Sequence, residues 1–94
     1  MDAKKLREYR NFRWRILYKG QVRIQRTSEY ANMSAEFLRF VSSIDDQTQK
    51  DVVMLYYHHA KSNIAVANEL HYSESQIKQI KRKAVGVLDR ASIE

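Results

Sequence analysis

The side chains best suited to chemistry in this sequence lie close together near its C-terminal end. Between positions 73 and 83 there are four lysine or arginine residues, two glutamines and a single acid, Glu74. Glutamine amides pair with adenine, and cationic side chains bind guanine or phosphate. A helix that presents these groups on one face is therefore predicted to contact double-stranded DNA. The sequence contains no recognisable arrangement of nucleophile, base and acid, so we do not expect an enzyme.

The first turns of such a helix would lie against base edges when it enters the major groove. We expect Gln76 or Gln79 to pair with adenine. Lys78 or Arg82 would contact guanine or phosphate. All the residues predicted to contact DNA are Lys61, Ser62, Asn63, Ser73, Glu74, Ser75, Gln76, Lys78, Gln79, Lys81, Arg82 and Lys83.

Phosphate contacts are expected at two places in this set. Lys81 and Lys83 follow the base-reading turns and would meet the DNA backbone. Lys61, Ser62 and Asn63 open an earlier helix, whose N–H groups and dipole favour an anion. Both groups would hold the protein on DNA without reading its sequence.

Two helices must position these residues, and the sequence contains the pattern of a helix-turn-helix. Ala67 supplies the small residue that is needed where the two backbones approach. Ser73 and Gln76 form a capping box that would start the second helix. The apolar residues expected to close the two helices together and to form the buried stripe are Val66, Leu70, Tyr72, Ile77, Ile80, Ala84, Val87 and Leu88.

This half of the chain, from Ile44 to Ala91, resembles region 4 of sigma-70-type sigma factors. The matching residues are Val53-Met54-Leu55-Tyr56-Tyr57, Ser62, Val66-Ala67, Leu70, Tyr72-Ser73, Ile77-Lys78 and Ala84. His71 stands where that family has glycine in the turn, so we expect a positive φ there. The whole layout is similar to small phage and prophage regulators of late transcription, of the ArpU/RinA type. The resemblance implies binding to promoter DNA and contact with RNA polymerase.

The basic N-terminal segment, residues 1–43, admits two interpretations. A helix from Ala3 to about Arg26 is favoured, because the helical spacing of apolar residues starts well before any alternation. A hairpin within residues 9–26, turning at Gly20, is the alternative. We expect the segment to pack over the other helices. A homodimer interface and an additional contact with DNA or a membrane surface are alternative roles.

The middle of the chain is predicted to hold two shorter helices. A turn or helix end over residues 27–32 would precede a helix over 34–43 with Ser34 as its N-cap. Asp46 and Gln49 form a second capping box, which would begin a helix from residue 47 to about 59.

Length and composition limit the number of domains, the class of partner and the kinds of site that the chain can form. With 94 residues and a net charge of +6, the chain is one small basic domain, which suggests a polyanionic partner. It has no cysteine, which excludes disulfides and thiolate metal sites. We expect a small all-α domain of about four helices, in the cytoplasm of a bacterial host and associated with its nucleoid. Neither a cofactor nor a metal is expected, and we expect no membrane partner.

The predicted function is sequence-specific DNA binding in transcriptional control. One alternative is a protein-interaction module that binds RNA polymerase or a sigma antagonist. Another is a recognition subunit of a DNA-packaging machine, similar to a small terminase. Salt dependence of binding and solution mass distinguish these alternatives from the DNA-binding regulator.

Overall fold

The computed structural model describes the backbone of residues 1–93 and the side chains of residues 1–86. The helices are α1 (Ala3–Lys19), α2 (Ser28–Ser42), α3 (Gln47–Val53), α4 (Asn63–Leu70) and α5 (Glu74–Ile93). A short 3₁₀ turn, Val22–Arg26, precedes α2, and a π-helical turn, Met54–His58, prolongs α3. This confirms the predicted all-α fold, with five helices instead of about four. None of the described helices is both long and apolar enough to cross a lipid bilayer.

The N-terminal segment is helical, but its first helix is shorter than predicted. α1 ends at Lys19, because Gly20 adopts a left-handed conformation with φ 67° and its N–H bonds to the carbonyl of Arg15. Glycine adopts this geometry without the steric cost that a side chain would bring. The prediction of one helix as far as Arg26 is therefore wrong. The alternative hairpin is also wrong, since residues 9–26 contain no strand.

α2 begins six residues earlier than the predicted cap. The Thr27 hydroxyl accepts a hydrogen bond from the Tyr30 N–H at 3.2 Å, which makes Thr27 the N-cap. Tyr30, Met33 and Phe37 are buried at helical spacing along one face. The predictions of a turn over residues 27–32 and of a cap at Ser34 are wrong, because this buried face starts at Tyr30.

α3 begins where its capping residues indicate. The Asp46 carboxylate accepts a hydrogen bond from the Gln49 N–H at 2.9 Å, which confirms Asp46 as the N-cap. The helix then widens into the π-helical turn and stops before Ala60, whose φ is 53°. This ending leaves several carbonyl groups without partners in their own helix.

Side chains of α1 satisfy those carbonyls. The Arg13 Nε donates to the His58 carbonyl at 2.7 Å. The Arg10 Nε donates to the Tyr56 carbonyl at 3.0 Å, and its Nη2 donates to the Lys61 carbonyl at 3.1 Å. Cations also stabilise the negative end of a helix dipole. Two of the arginines that give the chain its net positive charge therefore join α1 to the rest of the fold.

The buried side chains form two clusters. The larger one joins α1, α2 and the α3 region, and the rings of Tyr9 and Phe37 stack in it with centroids 4.5 Å apart. The smaller one lies between α3, α4 and α5 and consists of Val52, Val66, Ala67 and Ile77. Tyr56 packs against both clusters. α5 packs against both clusters, since its Ala84 belongs to the larger one and its Ile77 to the smaller.

The half-buried His58 packs against the larger cluster, where its ring stacks with those of Tyr9 and Phe37. The Tyr9 hydroxyl and the His58 Nδ1 share a hydrogen bond of 2.7 Å. Burial, helped by the charge of Arg13, lowers the pKa of His58 to about 4. Burial also raises the pKa of Tyr9 to about 12. At neutral pH this pair is an uncharged hydrogen bond within the core.

Candidate nucleic-acid interface

α4 and α5 are joined by a tight turn that has a defined geometry. The Ser62 hydroxyl caps α4 by accepting from the Ala65 N–H at 3.2 Å. α4 ends at Leu70, and its C-cap, His71, is left-handed with φ 61° and ψ 39°. The next residue, Tyr72, donates its N–H to the Ala67 carbonyl at 3.0 Å. The positive φ expected at His71 is confirmed.

α5 starts with the predicted capping box. The Ser73 hydroxyl accepts from the Gln76 N–H at 3.2 Å, and the Gln76 side-chain oxygen accepts from the Ser73 N–H at 2.9 Å. Two backbone N–H groups at the helix start are thus satisfied by side chains. These bonds fix where α5 begins and leave less polar capacity of Ser73 and Gln76 for another molecule.

The apolar contacts between α4 and α5 follow the sequence pattern at most positions. Val66 and Ile77 have no exposed surface, and Ala67 lies beside them. Tyr72 departs from the pattern, since 39% of it is exposed. The prediction that Tyr72 closes the two helices is wrong, because its backbone turns back to Ala67 and leaves its ring outside the cluster. The side chains of Val87 and Leu88, also predicted in the stripe, lie outside the described residues.

One row of α5 faces away from the core. Ser75, Gln79 and Arg82 follow each other at spacings of four and three, which places them on one side of a helix. All three are exposed, and none has a hydrogen bond or ion pair within the described part of the chain. Their hydroxyl, amide and guanidinium groups are therefore available to another molecule.

Two lysines lie on either side of this row. Lys78 forms an ion pair with Glu74, with 3.4 Å between Nζ and Oε1. Lys83 lines a cleft that also contains Asp45 and Asp46. Five residues of helix separate the two lysines by about 140° around the axis. They therefore point to opposite sides of the outward row.

Lys81 and Asn63 are bonded to each other within the protein. The Lys81 Nζ donates to the Asn63 Oδ1 at 2.9 Å and lies 3.6 Å from the centre of the Tyr56 ring. Burial lowers the pKa of Lys81. These contacts join α5 to α4, so the expectation that Lys81 and Asn63 are free to bind phosphate is corrected.

The two other predicted residues at the start of α4 stay near the surface. Lys61 forms an ion pair with Glu69 of the same helix region, and its side chain is about one-third exposed. Ser62 is exposed and spends its hydroxyl on the helix cap. The predicted set thus divides into an outward row, two flanking lysines, a capping pair and residues with internal partners.

One further feature was missed at the sequence level. A cleft of about 600 Å³ separates α1 from the start of α4. Its α1 wall includes Arg10 and a row of four residues at spacings of four, three and four: Arg7, Asn11, Trp14 and Tyr18. That helical spacing of polar and aromatic residues was the available signal, but nothing in the sequence indicates which element faces it.

The described residues contain no cluster of three histidine, aspartate or glutamate side chains that could hold a metal ion. Comparisons of the chain with models of protein families, with curated proteins and with solved structures found no match.

Proposed function

We propose that this protein binds specific sequences of double-stranded DNA and regulates transcription, as a phage-encoded regulator in its bacterial host. The observation that carries the proposal is the outward row of α5, in which Ser75, Gln79 and Arg82 are exposed and have no partner among the described residues. α4, the turn at His71 and α5 would act as a helix-turn-helix. The capping box and the buried Ile77 hold the row rigid, as a reading helix requires.

The proposed mechanism places α5 in the major groove, which is wide enough to admit one helix. Gln79 would pair with adenine and Arg82 with guanine, because their side chains offer bidentate hydrogen bonds to those bases. Lys78 and Lys83, on opposite sides of the row, would each approach one of the two phosphate backbones that border the groove. In the free protein Lys78 forms an ion pair with Glu74, and this pair would have to break before Lys78 could bind phosphate.

The test is selection of bound duplexes from a random DNA pool, followed by affinity measurements on the best sequence. Gln79→Ala should cost about 1–3 kcal/mol on that sequence and relax the preference at one position. Lys83→Ala should weaken binding to all sequences alike and reduce the salt dependence. Equal losses for both variants on selected and random DNA would show that the reading row is wrongly placed.

RNA polymerase and a second copy of the chain, docked through the N-terminal helix, are further proposed partners. A dimer should select a palindrome whose half-sites lie about one DNA turn apart, and light scattering should give twice the chain mass. If no duplex is enriched and RNA polymerase copurifies instead, the protein is an interaction module. A ring of many subunits would favour the DNA-packaging alternative.

A further inference from the structure

The cleft between α1 and the start of α4 is rich in hydrogen-bond donors. Arg7 and Asn11 are exposed and have no hydrogen bond or ion pair within the described residues. The indole N–H of Trp14 is a further donor on the same wall. Every charged side chain that lines the cleft is a cation: Arg7, Arg10 and Lys61.

The internal partners of these cations show which of them is available. Arg10 already donates to the carbonyls of Tyr56 and Lys61, and Lys61 is paired with Glu69. Among the residues that the structure describes, no group pairs with the guanidinium of Arg7. A free guanidinium beside an amide and an indole N–H suits anionic oxygens, because all three groups donate.

The position of the cleft selects among anionic partners. Its second wall is Ala60, Lys61, Ser62 and Ala65, the start of α4. In the proposed DNA complex this end of α4 lies along the phosphate backbone, since the first helix of such a pair crosses it. A second copy of the chain is a poorer occupant, because a two-fold contact centred on the cleft would bring two cationic clefts together.

We infer that the α1 wall of this cleft is a second DNA contact, in which Arg7, Asn11 and Trp14 bind the phosphate backbone that continues past the start of α4. The inference rests on the proposed function and extends it from one helix pair to the N-terminal helix. It adds affinity that does not depend on sequence, because phosphate contacts carry no base information.

Trp14 provides a direct readout, since it is the only tryptophan in the chain and is 39% exposed. Binding of a random-sequence duplex to the full-length protein should change Trp14 fluorescence and protect it from quenching by iodide. Unchanged fluorescence and unchanged quenching at saturating DNA would place the cleft outside the interface.

A matched pair of variants tests the charge. Arg7→Ala should weaken binding of a random-sequence duplex about threefold to tenfold at low salt and lower the log–log salt slope by about one. Arg39→Ala removes the same charge from an exposed position of α2, in a different cleft beside Met1 and Glu36. It should leave affinity and slope unchanged. Far-UV circular dichroism should show that both variants stay folded.

The outcomes separate this inference from the proposed function. If Arg82→Ala loses affinity while Arg7→Ala binds like Arg39→Ala, the inference is overturned and the proposed function stands. If the wild-type protein binds no duplex, both are overturned. If Trp14 responds to polyglutamate and not to duplex, the cleft takes an acidic protein segment, which also overturns the inference.

Discussion

The ring of Tyr56 contacts two cations at once. The Arg10 guanidinium carbon lies 4.2 Å from the ring centre and the Lys81 Nζ lies 3.6 Å from it. Each cation also has a polar partner, the Tyr56 carbonyl or the Asn63 side chain. One aromatic residue therefore links α1, α4 and α5, because the face of an aromatic ring attracts positive charge.

Tyr56→Leu should lower the free energy of unfolding by about 1–2 kcal/mol, because it leaves the half-buried Lys81 without the ring. Tyr56→Phe keeps the ring face and should cost less. Both values follow from urea denaturation at neutral pH. Tyr72→Leu is the control, since Tyr72 lies in the exposed turn, and it should change little. A loss of similar size for Tyr72→Leu would contradict the role given to the cation contacts.

His58 makes stability depend on pH. Its folded pKa is about 4, against 6.5 when unfolded, so between these values the unfolded chain binds a proton that the folded chain does not. The contribution of the neutral His58 ring to the free energy of unfolding is therefore fully present above pH 6.5, and it is lost as the pH falls toward 4. The expected loss is about 2 kcal/mol, less than the whole shift implies because solvent screens part of the ring.

Urea midpoints measured across this pH range for wild type and His58→Gln give the test. The variant should show a flatter profile, because it removes the titrating group that faces Tyr9 and Arg13. His59→Gln removes the exposed neighbouring histidine, whose charge is the smallest of the causes that lower the pKa of His58, and should change the profile less than His58→Gln does. Parallel profiles for His58→Gln and wild type would contradict the assignment.

Among the helices, the crossing of α4 and α5 depends on a small residue. Ala67 is buried between Val66 and Ile77, so Ala67→Leu should overpack this contact and cost about 1–3 kcal/mol or more. Thermal unfolding measures the loss. Ala31→Leu, at an exposed position of α2, is the matched control and should be nearly neutral. A stable Ala67→Leu protein would mean that the two helices can separate without penalty.

The helices that the sequence predicts well are those with local signals. Ser73 and Gln76 lie three residues apart, as do Asp46 and Gln49. Each N-cap can therefore be recognised from neighbouring residues of the sequence alone. The start of α2 was missed because Tyr30 becomes part of a buried face only when α1 packs on it. The role of Arg10 is also nonlocal, since its carbonyl partners lie 46 and 51 residues away.

For the candidate site, the same distinction explains which residues were assigned well. The outward row follows from helical periodicity within α5. The engagement of Lys81 by Asn63 joins residues 18 apart on two helices, and no pattern of spacing distinguishes it from an exposed lysine. Charge alone thus overstates how much of the basic surface is free to bind another molecule.

For the molecule as a whole, the N-terminal helix is part of the structure that carries α5. A fragment of residues 27–94 should lose cooperative unfolding, and with it the proposed DNA binding, because it exposes Phe37 and leaves the carbonyls of Tyr56 and His58 without their arginine donors. Circular dichroism should detect the loss, and adding a separate peptide of residues 1–26 should restore helical signal. A fragment that unfolds cooperatively by itself would contradict this dependence.

The arginine bonds to the end of the π-helical turn also bear on how the protein is made. α1 leaves the ribosome first, whereas the carbonyls that Arg10 and Arg13 need are synthesised about 50 residues later. Throughout that interval α1 can pack only on α2, through contacts such as Tyr9 with Phe37, and both arginines lack these carbonyl partners. The nascent chain would then be most prone to wrong association before residues 56–61 are translated, and α1 would be fixed in its final place only after them.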